Sequence, residues 1–388
     1  MYIVPIFLYL CSLYLLYLPF MEIREVTTRK DKRLFVQFPY KLYADCPYYV
    51  PPLKNGELLE MYRHPALEFC DVKYWLCLEN GEVVGRVAGI VNRKCNELKG
   101  QRRVRFGWLD FIDNPEVARQ LLNTVAEWGK AQGMTELCGP SRFSNMQKQA
   151  MLVDGFDQTP SITGDYNYPY YPQILENELL FEKEVDYIQY KVPVNEVPER
   201  FTRLCELVKA KYHVRLRQSH SKRELRIDGR KFFQLLNKSY VHIFNFIPLT
   251  DEEIEWEINN NFIVADLDLV PLIVDEHDEP VGLAMCLPSL SKAFQKAGGR
   301  LFPFGWWHIV RARRHNDLVD MFLTGVAPEY LNSGIHVLYH KQLHETFLRK
   351  GYKYAIASQQ LEDNPAALVW KKYGGEVIIR RRCYRKEI

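Results

Sequence analysis

The sequence predicts an α/β fold made of two tandem units, each a mixed twisted sheet flanked by helices. Three observations carry that expectation. The first is the stretch Asp317–Gly375, where an apolar run of strand length at Leu318–Val326 is followed by loop punctuation at Pro328 and Gly334. Apolar residues then recur at helical spacing over Ile335–Arg349, Gly351 stops that helix, and Tyr354–Ser358 is a second short apolar run. Asn364-Pro365 opens another helix, which closes at Gly374-Gly375. The second observation is that strand, helix, strand order recurs at Val104–Pro140, so the chain looks like two divergent copies of one unit. The third is length, since 388 residues suffice for two separate cores.

Taken in order, Tyr2–Phe20 is an uncharged apolar stretch of nearly membrane-spanning length. Two readings of residues 1–20 stand: a membrane anchor, with Arg24, Arg29, Lys30, Lys32 and Arg33 holding the rest on the cytoplasmic side, or translated sequence upstream of a true start at Met21. The first unit is expected over 21–194. Pro51-Pro52 and His64-Pro65 read as loops, Tyr74–Leu78 and Val83–Val91 as strands joined by the hairpin turn Asn80-Gly81, and Val104–Phe111 as a further strand. Asn114-Pro115 starts a helix that runs through Trp128, and Leu137–Gly139 is a short strand. This copy has no glycine between Ile112 and Pro115, so it lacks a phosphate cradle and reads as a degenerate copy.

Pro193–Pro198 is the expected linker to a second unit over 195–388. There a helix is expected at Glu199–Tyr212, a basic segment at Arg215–Arg230, a helix at Lys231–Tyr240 and an aromatic loop at Phe244–Thr250, with Thr250-x-x-Glu253 as a capping box. Leu267–Val274 and Pro280–Leu287 read as paired strands around a turn at His277–Glu279, and Pro303–Trp307 as an aromatic connection into the stretch Asp317–Gly375.

Composition narrows the function classes. The hydrophobic share of 47% with 26% charged residues is that of a soluble globular protein, and a net charge of +3 gives nucleic-acid binding no global support. Nine cysteines, an odd number without one Cys-x-x-Cys pair, argue for free thiols in a reducing, cytoplasmic compartment rather than a disulfide framework or zinc knuckles. Association with the inner membrane follows if residues 1–20 are an anchor.

At Val326-x-Pro328-x-Tyr330-x-x-x-Gly334, and at Asn364-x-x-Ala367 followed by Trp370-Lys371-Lys372-Tyr373-Gly374, the chain resembles the core of the GNAT superfamily of acyl-CoA N-acyltransferases. The blocks Arg105–Phe111, Cys138–Pro140, Met151–Phe156 and Asn167–Pro172, with Leu175-Glu176 and Asp186-Tyr187, are similar to a bacterial family of double-GNAT proteins, itself similar to bacterial ceramide-synthase-type proteins. The resemblance implies acyl-CoA or acetyl-CoA as a co-substrate, no permanently bound cofactor, and an amine acceptor, either a long-chain sphingoid-type amine or a small one. It places the donor against Leu323, Thr324 and Val326 on the strand, Asn332, Ser333, Gly334 and Ile335 in the loop, and Asn364. The physical basis of the loop is independent of the name, because orphan N–H groups and the macrodipole at a helix N-terminus both favour a phosphate.

Acyl transfer also needs an acid for the leaving thiolate and a route for the amine proton. The superfamily's tyrosine position is Trp370 here, whose indole is not a usable acid, so Tyr373 or Tyr384 is the candidate. Asp320, His315 and His308 are the candidates for the base. Leu331, His336 and Trp370 each replace a residue usual in the superfamily, which supports a rival reading as a non-catalytic binding or scaffold protein. His336, His340 and His344 share one helix face, but three His over two turns of a straight helix do not close on one ion, and no metal is expected. Arg311, Arg313 and Arg314 and the run Arg380–Arg382 are candidates for a phosphate or an anionic membrane surface, and Trp306-Trp307 with Phe244–Leu249 for the lining of an acyl tunnel.

Overall fold

The computed structural model describes residues 21–196, 199–241, 243–261, 265–364 and 367–388. The apolar segment 1–20, the end of the expected linker at Val197-Pro198, and Pro365 lie outside the described residues. Among those described, no helix is long and apolar enough to cross a membrane.

The first half runs β1 (Met21–Glu25), α1 (Arg29–Leu42), α2 (Lys54–Arg63), β2 (Cys70–Glu79), β3 (Glu82–Asn92), α3 (Arg93–Lys99), β4 (Arg103–Phe111), α4 (Pro115–Lys130), β5 (Glu136–Gly139), β6 (Met151–Asp154) and β7 (Glu182–Pro193). Local chemistry sets these bounds. Asn80 and Gly81 both take positive φ, 51° and 84°, and turn β2 tightly into β3. The Asn114 side chain accepts from Glu116 N at 2.9 Å, and Pro115 begins α4 where its missing N–H costs nothing.

The second half runs α5 (Glu199–Tyr212), β8 (Arg215–Gln218), α6 (Lys222–Ser239), α7 (Asp251–Asn261), β9 (Pro271–Val274), β10 (Pro280–Pro288), α8 (Ser291–Ala297), α9 (Gly305–Arg314), β11 (Leu318–Val326), α10 (His336–Lys350), β12 (Tyr354–Ala357), β13 (Gln360-Leu361), α11 (Ala367–Lys372) and β14 (Glu376–Glu387). The capping box at α7 is present in both directions, Thr250 N to Glu253 at 2.9 Å and Glu253 N to Thr250 Oγ1 at 3.2 Å. Two expectations need correction. The basic segment is not a separate region: Ser221 caps Glu224 N at 3.1 Å and α6 starts at Lys222, nine residues before the expected helix. The linker segment begins inside β7. Between the two proline-marked loops, α2 forms although its Leu53 N-cap lends no side-chain bond.

All the strands belong to one 14-stranded sheet ordered β1-β2-β3-β4-β5-β14-β7-β12-β11-β10-β9-β8, with β6 added at β14 and β13 at β7. The order reads alike from either end, so the two expected sheets are copies joined edge to edge. The join is an exchange. The last strand of the chain, β14, lies against β5 of the first half, while β7, from the first half, lies against β12 of the second. β7 and β14 then pair antiparallel along the centre from Glu376↔Lys191 to Arg385↔Glu182. Each half has a core on both faces: α1 and α2 cover one face of the first half and α4 the other, α6 and α7 one face of the second half and α5 and α10 the other.

Candidate active site

In the second half, β11 and β12 pair in parallel only over Leu318–Met321 and Tyr354–Ala357, then separate. The separation begins where the register with β10 slips between Met285 and Cys286, leaving Phe322 as an extra residue on β11. The strand end, carrying Leu323, Thr324 and Val326, therefore has an edge that no neighbouring parallel strand covers. Beyond it the turn Pro328–Tyr330 leads through Asn332 (exposed), Ser333 and Gly334 (half-buried) to Ile335, which is fully buried and anchors α10. Gly334 has φ 78°, and a Cβ there would touch nothing within 4 Å, so the loop stands open. Ser333 Oγ accepts from Ile335 N at 3.2 Å. Asn364 lies just past β13, on the β7 side of the separation.

Two tyrosines that sequence reasoning passed over close on this gap. Tyr240, the C-cap of α6, donates its hydroxyl to the Thr324 carbonyl, and Ser239 Oγ donates to the Val326 carbonyl at 2.9 Å. Tyr339 on α10 brings its hydroxyl near the Thr324 side chain. Burial pushes the Tyr240 hydroxyl up to about 12, so it stays protonated at neutral pH. A sequence signal for Tyr240 existed only in the repeat: Tyr43, the C-cap of α1, likewise sends its hydroxyl to β4, at Asp110 Oδ1, 2.9 Å away.

The three candidate catalytic residues lie in three places. Asp320 pairs across to Leu287 and so sits on the α6/α7 face, buried, with burial pushing its carboxyl up to about 7. His315 caps α9 and is exposed. Tyr373 is on the opposite face of the sheet from Asp320. It stacks on Phe201 (5.1 Å) and on His344 (5.3 Å), lining a cavity of about 260 Å³ with His340, Lys341 and Asn195. Trp370 packs on His340, and burial drives the pKa values of His336, His340 and His344 down. Among the described residues no group of His, Cys, Asp and Glu is placed to hold a metal ion. Tyr384, on β14, is buried in the core of the first half, donating to Glu176 at 2.7 Å.

Other expectations change with the tertiary structure. The terminal arginines do not form a surface patch: Arg381 is buried, and Arg382 forms a two-pronged pair with Asp186 at 2.8 and 3.0 Å. Phe246 and Ile247 are core residues, whereas Trp306 and Trp307 are exposed and line no tunnel.

In the first half β4 and β5 pair only over Arg103–Arg105 before parting, and the gap is filled by side chains. Tyr43 and Tyr171 share a hydroxyl contact of 2.8 Å, Tyr171 accepts from Phe111 N at 2.9 Å, and Arg86 pairs with Asp110 at 2.7 Å. Arg142 meets Glu57 and Glu60 at 3.3 and 2.8 Å. What remains is a polar chamber of about 50 Å³, lined by Trp108, Asp110, Pro140, Asn167 and Tyr171 from the very blocks that carry the double-GNAT resemblance.

Comparison with known proteins gives the fold. No family model matches the chain. The Escherichia coli protein YghO is 26% identical over 381 residues, covering 94% of this chain and 95% of its own. A bacterial ceramide synthase of Caulobacter vibrioides is 24% identical over 290 residues, 74% of each chain. Among solved structures, a tandem GNAT protein from the clavulanic acid biosynthesis pathway superposes with a TM-score of 0.56 at 12% identity, over 95% of this chain and 98% of that one. The chain is a tandem GNAT-fold protein.

Proposed function

We propose that the protein is an acyl-CoA-dependent N-acyltransferase whose acceptor is a long-chain amine, with the donor held by the second of two repeats divided at residues 194–195. The observation that carries this reading is the open edge of β11 continuing through the Gly334 loop into α10. That arrangement offers a groove for an extended thioester chain and, at its end, helix N–H groups and a dipole suited to phosphates. Leu323, Thr324 and Val326 line the strand part, Asn332, Ser333, Gly334 and Ile335 the loop, and Asn364 the far side. The amine attacks the thioester carbonyl, the C–S bond breaks as the amide forms, and the thiolate takes a proton. Tyr240 is the best-placed donor, because its hydroxyl is protonated at neutral pH and lies at the Thr324 carbonyl on β11. Asp320 and His315 remain the candidates for the amine proton, and Tyr373 the alternative acid for the thiolate. The name of the Caulobacter relative, an enzyme that makes ceramide, supports the long-chain acceptor.

A second reading is favoured by one observation. Tyr240 and Ser239 already occupy the Thr324 and Val326 carbonyls that a pantetheine chain would seek, which suits a GNAT fold kept for binding or scaffolding.

The test is thermal unfolding of the protein with free CoA and with acyl-CoAs of increasing chain length. At about 100 times Kd the ligand should add roughly 2.7 kcal/mol, a rise of a few degrees. Stabilisation that grows with chain length supports the proposal, and stabilisation by acetyl-CoA alone points to a small-group transferase. Gly334→Glu, which sets a carboxylate where a phosphate would lie and strains φ 78°, should abolish the shift, whereas Gly334→Asn, which tolerates that φ, should keep most of it. An unchanged shift in the Glu variant removes the phosphate-loop assignment.

A further inference from the structure

The insertion between β10 and β11, residues 289–317, presents an apolar surface that the acyl-transfer site does not use. Phe302 and Phe304 are 76% and 73% exposed, and Trp306 and Trp307 are 47% and 48% exposed. Every strongly exposed Phe or Trp among the described residues is one of these four, with Leu301 and Val310 beside them. Aromatic rings of this size lose favourable burial when left in water, so their collection at one tip calls for a partner.

The charge around the tip states the partner's sign. Residues 291–316 contain Lys292, Lys296, Arg300, Arg311, Arg313 and Arg314 and no Asp or Glu, in a chain whose total is only +3. None of these six cations forms a salt bridge among the described residues, while Arg311 lies over the Trp307 ring at 5.6 Å. The insertion is held from its base. Ser291 Oγ donates to the Pro160 carbonyl at 2.7 Å, Gln295 Nε2 to the Pro47 carbonyl at 2.8 Å, and Lys54 N to the Gly299 carbonyl at 3.1 Å. Gly305 turns tightly into α9, since a Cβ there would come within 1.9 Å of the Arg300 carbonyl. A tip fixed in this way presents its aromatics outward without first having to order itself.

We infer that the α8–α9 insertion is a docking element for an anionic phospholipid surface, with Phe302, Phe304, Trp306 and Trp307 entering the headgroup region and the six cations meeting lipid phosphates. Amphipathic indole rings favour the membrane–water interface, and each cation held near an anionic leaflet adds attraction that salt weakens. A protein partner of acidic character would satisfy the charge but leaves the protruding, uncupped phenyl rings without a reason. The inference stands on exposure and charge whatever reaction the chain performs.

The test is sedimentation of the full chain with vesicles of phosphatidylcholine alone and of phosphatidylcholine mixed with phosphatidylglycerol, together with tryptophan fluorescence. Binding to the mixed vesicles, weakened by salt and accompanied by a blue shift, is expected. Two variants whose changes are at the surface, F302S/F304S/W306S/W307S and R311E/R313E/R314E, should each keep the wild-type melting temperature and lose on the order of a hundredfold in binding. Binding that persists in both variants, no binding of the wild type to either vesicle, or a patch variant that splits a dimer into monomers while vesicle binding is unchanged would each overturn the inference.

Discussion

Glu257 on α7 accepts hydrogen bonds from Asn261 at 2.7 Å and Gln147 at 3.5 Å, yet burial, with the Glu60 and Glu253 carboxylates nearby, pushes it up to about 8. A carboxyl raised in the folded state binds its proton there while the unfolded chain has released it. Stability is thus full below the unfolded value and falls as pH rises toward 8. Glu257→Gln, which keeps the shape without the charge, should gain little over wild type at pH 4.5 and more than about 1 kcal/mol at pH 9. Melting temperatures of both proteins at the two pH values check this, and a pH-independent difference would refute it. Tyr240→Phe tests the proposed acid: kcat should fall about tenfold or more while KM for acyl-CoA changes little. A fall in affinity with kcat intact would instead assign the hydroxyl to packing against Thr324.

At the scale of elements, the positions that sequence chemistry marks came out where that chemistry put them. The Asn80-Gly81 turn, Asn114-Pro115, the Thr250 capping box, the apolar run of β11 and the Gly351 stop, which has φ 78°, each act within a few residues and need no partner. Elements shaped by distant residues were harder to read. The charged stretch Arg215–Arg230 looks like a solvated segment, but Arg226 and Arg230 reach Glu255 on α7, Arg217 reaches Asp228, and Leu225 packs with Phe232, Phe233 and Leu236 into the core. The aromatic run at 301–307 has the composition of a tunnel lining. Only the insertion's anchoring to the first half turns it outward.

For the whole molecule, the exchange of β7 and β14 ties the halves together. Without β14, β5 loses one of its two neighbours, and Cys383 and Tyr384 leave positions buried among first-half residues. The chain should therefore unfold as one cooperative unit despite its length, and calorimetry should give equal van't Hoff and calorimetric enthalpies. Two resolved transitions would show that each half is stable without the other's strand. The sequence by itself determined the α/β class, the duplication, most strands and helices, and the Gly334 loop, because hydrophobic period, turn residues and caps act over a few residues. Tertiary structure alone decided three things: which strand closes which half, that Tyr240 and Tyr339 rather than Tyr373 flank the open edge of β11, and that the first-half blocks surround a charged chamber. The physical reason is that strand pairing and the convergence of side chains depend on contacts between residues far apart in the chain, such as Tyr240 with Thr324, and no local pattern records them.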